Sequence, residues 1–302
     1  MSDRLLKFLF HGAPVRGELV RLHEAWQQMT ARHDYPDPVA LLLGEMTAAA
    51  ALLSTTIKFN GSLIFQIHGD GPVRLLVAEC RPDLTIRATA KLHDDAVIPD
   101  GAGLRELVNA HGRGRCAITL DPSDPKPGQQ PYQGVVCLDG NSIREVLENY
   151  MRRSEQLDTR LWLAASRSTI AGMLLQRLPR PADGDPADEE TWQRAATLAN
   201  TLSEKELLAV APDELLHRLY SQERLNAFAS LTPRFQCTCS RARIGRMLLS
   251  LGRDEVDSIV AEFGTVSVTC EFCKSVHGFD AVDVGELFAT GTNAGAAVNP
   301  PQ

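Results

Sequence analysis

The chain has 302 residues, of which 44% are apolar, 23% charged and 6% aromatic. A chain of this length and balance can bury a substantial core and divide into more than one domain, which excludes a disulfide-scaffold mini-protein, a collagen-like chain and a wholly disordered one. The formal net charge of −7 argues against a nucleic-acid backbone as the main partner. That charge is uneven: residues 1–178 are neutral, while 179–235 and 236–302 are both net acidic.

The opening MSDRLLKFLF carries Lys7 inside its short apolar run and so lacks a secretory h-region. The most apolar stretch, Val39 to Ile57, is interrupted by Glu45 and follows Asp37-Pro38, the start of an ordinary buried helix and not of a membrane span. The chain is therefore expected in a reducing cytoplasm, away from membranes. Seven cysteines, an odd number, suit that compartment better than a paired disulfide framework.

Residues 1–178 read as an α+β core domain. In the helix from Pro38, Val39, Leu42, Leu43, Met46, Ala50 and Leu53 recur at helical spacing, and the other face is mostly alanine, which predicts burial on nearly all sides. Alternating runs around Leu63–Ile67, Val73–Val77 and Leu84–Ala90, joined by tight turns, predict an antiparallel meander. Runs at Cys116–Leu120, Tyr132–Leu138, Thr159–Ala165 and Thr169–Gln176 add strands, with a helix at Ser142–Arg153 between them. The order of elements is that of an antiparallel sheet with helices and not of a βαβ array.

Residues 179–235 read as a helical linker. Pro179, Pro181, Gly184 and Pro186 punctuate the acidic stretch PADGDPADEE, a connector. Beyond it, Trp192, Ala195, Ala196 and Ala199 make one amphipathic face and Leu215, Leu216, Leu219 and Tyr220 another. Helices this short need an apolar surface to rest on, so the segment is either a helical subdomain or a conditionally stable linker.

Residues 236–289 hold four of the seven cysteines. Cys237-Thr-Cys239 and Cys270-Glu-Phe-Cys273 are two close thiol pairs separated by a helical insert, the spacing of a four-cysteine zinc site. Each tight turn can present two sulfurs to one tetrahedral ion. Within the insert, Ile244, Met247, Leu248 and Leu251 form one helical face and Val256, Ile259, Val260 and Phe263 a second, with Gly252 and Gly264 as stops. Val266 and Val268 then alternate into Cys270 as a strand would. So small a domain would be marginal alone, and a structural zinc would hold it folded. Such sites are usually inert. Here both pairs are close enough to form local disulfides, and Arg241, Arg243 and the following helix N-terminus lie near the first pair and favour thiolate, the form that peroxide attacks. Beyond Phe288 the small and polar residues lack periodicity, and 290–302 is expected to be a disordered tail.

Other candidates read as structural. His277 lies four residues after Cys273 but follows a complete set of four thiols, and is expected to be a surface or packing residue. Cys80, Cys116 and Cys137 sit in or beside strands and are expected to be buried and inert. Gly69-Asp70-Gly71-Pro72 and His111 to Arg115 lack the ending of a phosphate loop and read as turns, and neither a nucleophile elbow nor a zinc-protease helix motif occurs. No residues assemble into a recognisable active site, so an enzyme is not expected.

The chain resembles the redox-regulated 33 kDa heat-shock chaperone family. The resemblance is carried by VRGELVRL (15–22), HDYPDPVALLLGE (33–45), KFNGSLIFQIHGDGP (58–72), YQGVV (132–136), RSEQLDTRLWLA (153–164), AGMLLQRLP (171–179) and the cysteines with CTCSRAR at 237–243 and CEFC at 270–273. Where the family tends to carry a glycine after the last cysteine and an aromatic three residues on, this chain has Lys274 and His277. The resemblance implies an ATP-independent holdase for unfolding client proteins. It implies one Zn2+ per reduced chain on Cys237, Cys239, Cys270 and Cys273, and a metastable linker docked on the core. Oxidation would form disulfides Cys237–Cys239 and Cys270–Cys273, release the metal, loosen the linker and lead to a homodimer. Two other readings compete. A zinc-ribbon nucleic-acid or ribosome-binding protein would need a basic stripe, but the C-terminal segment is acidic and only Arg241, Arg243 and Arg246 cluster. A thiol–disulfide oxidoreductase acting through Cys270 and Cys273 would need a thioredoxin-like βαβ setting, which is missing.

Overall fold

The first two strands, β1 (Arg4–Phe10) and β2 (Val15–Leu22), pair antiparallel; β1 alternates from Leu6 to Phe10, whereas β2 is buried almost throughout and shows no alternation. They belong to a computed structural model that describes residues 2–126, 128–179 and 186–294 and divides into two units, Met1–Gln236 and Cys237–Gln302. Helix α1 (Glu24–Thr30) follows, its N-terminus held by the Asp3 carboxylate, which accepts from the backbone N–H groups of His23, Glu24 and Ala25 at 2.5, 2.9 and 2.7 Å. Helix α2 (Asp37–Thr56) carries Pro38 in its first turn and is buried almost all round, as its alanine-rich pattern predicts. It is long and apolar enough to cross a membrane, yet most of it lies inside the core.

Strands β3 (Gly61–His68), β4 (Val73–Cys80) and β5 (Thr85–Leu92) form the expected antiparallel meander. Between β5 and the next strand lies α3 (Leu104–Val108). Strand β6 (Arg115–Pro122) then pairs with β3, and β7 (Tyr132–Val136) pairs with β6 at the edge of the sheet. The two glycine-rich motifs are turns: Asp70 in the first accepts from the backbone N–H groups of His111 and Arg113 in the second. Helix α4 (Ile143–Arg153) is capped by the Ser142 hydroxyl, which accepts from the Glu145 N–H. Strands β8 (Thr159–Ala165) and β9 (Ile170–Arg177) pair with each other, and β9 pairs with β2.

The segment expected as a linker belongs to the same unit as the core. Of the connector, residues 180–185 lie outside the described residues, and Pro186 already opens α5 (Pro186–Ala199). Helix α6 (Glu204–Ala209) starts with a capping box between Ser203 and Glu206, and α7 (Pro212–Tyr220) starts on a proline. Trp192, Ala195, Ala199, Leu207, Leu215, Leu216 and Tyr220 are buried against Phe8, Phe10, Leu19 and Met173 of the β1–β2–β9 sheet. Strands β10 (Leu225–Ala227) and β11 (Arg234–Phe235) then add to two different sheets, β10 antiparallel to β1 and β11 parallel to β5. The five-stranded sheet runs β10-β1-β2-β9-β8, and the six-stranded sheet runs β11-β5-β4-β3-β6-β7. The architecture is the expected α+β with antiparallel sheets; the parallel β11–β5 pair is an exception at one edge.

The second unit contains α8 (Arg241–Leu251), α9 (Arg253–Phe263), β12 (Val266–Thr269), β13 (Val276–Phe279) and α10 (Ala281–Ala294). Gly264 ends α9 in the left-handed conformation, φ +78°, as its position in the pattern predicts. The α8 face is rotated from expectation: Ile244 and Leu248 are buried, while Met247 and Leu251 are exposed. Gly245 explains the rotation, because a Cβ there would meet Leu287 Cδ1 at 2.8 Å, so α10 approaches α8 along the glycine side. Phe263, the last expected face residue of α9, is exposed as well. Helix α10 continues through Ala294, into the stretch expected to lack structure, and residues 295–302 lie outside the described residues.

Candidate metal centre

The four C-terminal cysteines are brought together by two turns and a short hairpin. The first pair precedes α8, whose N-cap Ser240 is extended and accepts from the Arg243 N–H. The second pair lies between β12 and β13, which pair antiparallel from Val266↔Phe279 to Thr269↔Val276. Within that turn the Cys270 N–H donates to the Ser275 carbonyl at 2.9 Å and the Lys274 N–H to the Cys270 carbonyl at 2.8 Å. Lys274 is left at φ +54°, a left-handed conformation that favours glycine.

All four Sγ atoms lie within 4.8 Å of one another, with Cys237 to Cys270 at 3.6 Å and Cys239 to Cys273 at 3.4 Å. A tetrahedral ion with sulfur ligands at ~2.3 Å requires sulfurs roughly 3.8 Å apart, so the donor set and its spacing fit zinc. Burial raises the Cys237 and Cys239 thiols. Burial also works against the Cys273 thiolate, but hydrogen bonds with the Ser275 side chain and backbone and with the neighbouring thiols outweigh it and bring Cys273 down to about 6. Arg241 does not serve the first pair's sulfurs. It donates to the Gly278 carbonyl, pairs with Asp283 and lies over the Phe279 ring, and Arg243 donates to the Thr238 hydroxyl. The partners of Arg241 were not legible in sequence, because they are set by the hairpin and α10.

His277 is placed on β13 opposite Val268, half-buried, as a packing residue. Its Nε2 is buried without a hydrogen-bond partner. Cys80 and Cys116 are buried as expected; burial pushes Cys80 up to about 12 and raises Cys116 as well, which keeps both as inert thiols. Cys137 corrects the expectation of burial: it is exposed, because β7 is an edge strand that ends at Val136 and the next residue turns outward.

Fold and site together define a class: an α+β chain that carries helices on its sheet and a separate unit at its C-terminal end with four gathered thiols that could hold a metal ion. The family model of the Hsp33 protein matches residues 3–280. The 33 kDa chaperonin of Chromobacterium violaceum is 46% identical over 95% of this chain and 94% of its own length, and that of Methylobacillus flagellatus is 44% identical over 96% of both. The crystal structure of the 33 kDa chaperonin from Thermotoga maritima shares the fold, with a TM-score of 0.79 over 96% of this chain and 99% of that one at 21% identity. The chain belongs to the Hsp33 family of chaperones.

Proposed function

We propose that this chain is an ATP-independent holdase for unfolding proteins, a binding protein and not an enzyme, acting in the cytoplasm and governed by the oxidation state of Cys237, Cys239, Cys270 and Cys273. The observation that carries the reading is the gathering of four thiols within 4.8 Å in a unit whose described buried apolar residues are few: Ile244, Leu248, Val256, Val266, Phe279, Val284 and Phe288. A core of that size is marginal. Bound to the four thiolates, one Zn2+ would contribute roughly 10–16 kcal/mol of apparent binding free energy, which in such modules is also folding free energy.

Oxidation removes the ligands. A cysteine thiolate attacks one oxygen of hydrogen peroxide and becomes a sulfenic acid while hydroxide leaves and takes a proton. The neighbouring thiol then displaces water from that sulfenic acid and closes the disulfide. Each disulfide thus consumes one peroxide and yields two waters, and pairs Cys237–Cys239 and Cys270–Cys273 would consume two. A disulfide sulfur is a poor ligand, so the unit loses its staple. The first cysteine comes just after β11, the last strand of the segment that covers the core. Release of that segment would uncover the faces of Trp192, Leu207, Leu215 and Tyr220 together with those of Phe8, Phe10 and Met173 beneath them. Those faces are what an unfolding client would meet, and they would also favour a homodimer of the active form. The acidity of residues 179–235 supports this role, since it keeps the released segment soluble.

The test follows zinc release, free thiols and suppression of client aggregation together during exposure to peroxide at mild heat. The three are expected to change in step, with the reduced, zinc-loaded chain inactive. Equal suppression by the reduced and oxidised forms would overturn the reading.

A further inference from the structure

Two turns carry the four thiols, and they are 30 residues apart in sequence. Something besides a metal must keep them in register, and Arg241 makes the contacts that can. It is the first residue of α8 and lies two residues after Cys239. Its guanidinium donates to the Gly278 carbonyl, pairs with Asp283 Oδ1 at 2.6 Å and lies 4.3 Å from the centre of the Phe279 ring. Gly278 and Phe279 belong to β13, whose other end closes the second cysteine turn, and Asp283 belongs to the first turn of α10. Phe279 is 3% exposed and part of the unit's core. Asp283 also receives the Asp280 N–H, so the same carboxylate closes the start of α10.

We propose that Arg241 is a positioning residue of the thiol cluster, fastening the chain that leaves the first cysteine pair to the strand and helix that follow the second. The proposal rests on the reading of the four cysteines as a metal centre. Three contacts on one side chain use three properties of guanidinium: the fork of donors, the permanent charge and the flat face that stacks on an aromatic ring. Lysine supplies only the charge. An ion pair this exposed is worth little by charge alone, so the lysine variant separates geometry from charge.

The full-length, reduced, zinc-loaded chain is compared with R241K, R241M and D283N. Bound zinc per chain is counted, transfer of zinc to an excess of a chromophoric chelator is timed, and hydrogen exchange of the amides at 281–289 is followed. Partners that orient metal ligands typically change metal affinity 10–100-fold. R241K and R241M are therefore both expected to release zinc about 10–100-fold faster than the parent, with loss of amide protection in α10. D283N keeps an oxygen acceptor for the Asp280 N–H and is expected to move in the same direction by less; it also serves if a substitution at Arg241 prevents folding. Release at the parent rate in these variants overturns the proposal, as does a parent-like rate in R241K beside fast release in R241M, which would reduce Arg241 to a charge. A parent chain that carries no zinc overturns the metal reading itself, an outcome distinct from both.

Discussion

Single residues around the thiol cluster carry identifiable costs. Lys274 sits at φ +54°, where a side chain costs about 1–2 kcal/mol relative to the ordinary region and glycine pays nothing. Its ion pair with Glu271 is exposed and worth little in return. K274G is expected to stabilise the second unit by about 1 kcal/mol, seen as a higher melting midpoint of the reduced, zinc-loaded chain by calorimetry. His277 leaves Nε2 buried and unpaired, a defect worth roughly 1–3 kcal/mol, so H277F should raise the same midpoint. These are the two positions at which the chain departs from the pattern of the family it resembles. Elsewhere, Glu45 is pushed up to about 7, first by burial and then by the nearby Glu204 carboxylate, and burial also pushes Glu18 to about 7. A carboxyl whose folded value lies above its unfolded one holds its proton longer in the folded state. Its contribution is therefore fully present at low pH and is lost as pH rises from about 4.5 through about 7. Thermal stability of the first unit should fall over that window, and E45Q should flatten the fall in melting curves taken from pH 5 to pH 8. The gathering of four thiols was legible from sequence because its signal lies in local spacing. Cys137, Glu45 and Arg241 were not, because exposure, a like-charged neighbour and a distant carbonyl are supplied by other elements.

At the scale of elements, pattern-reading found the longer strands after α2, including β9, which is buried on both faces. Strands β3, β4 and β5 were legible, β3 with strict alternation; β2 is buried almost throughout and gives no period of two. Strands β10 and β11 are only three and two residues long, below what any pattern can reveal. The end of helix α10 was hidden by its small residues, since 290–302 read as a tail. The helices of the covering segment were legible as faces, but sequence did not say what they rest on. The structure supplies the surface, with Trp192 buried among the residues of the β1–β2–β9 sheet. W192A should remove roughly 3–5 kcal/mol of packing and free part of α5 without touching a cysteine. The expected outcome is measurable suppression of client aggregation by the reduced, zinc-loaded variant, where the parent has none. A variant as silent as the parent would separate this face from client binding.

At the scale of the molecule, two units of unequal self-sufficiency share one chain. The first has an extensive buried core and the second a handful of buried side chains. Removing zinc with a strong chelator under reducing conditions should abolish one thermal transition and leave the other near its original midpoint, and C273S should reproduce that result without chelator. The covering segment ends in β10 and β11, which form the outermost strands of the two large sheets. If that segment lifted as proposed, β1 and β5 would each lose their outer neighbour at the same moment, and two rows of backbone N–H and C=O groups would stand open. An extended stretch of any polypeptide can dock on such a row without regard to its side chains, so the chain's loosening would also create a grip that reads no sequence.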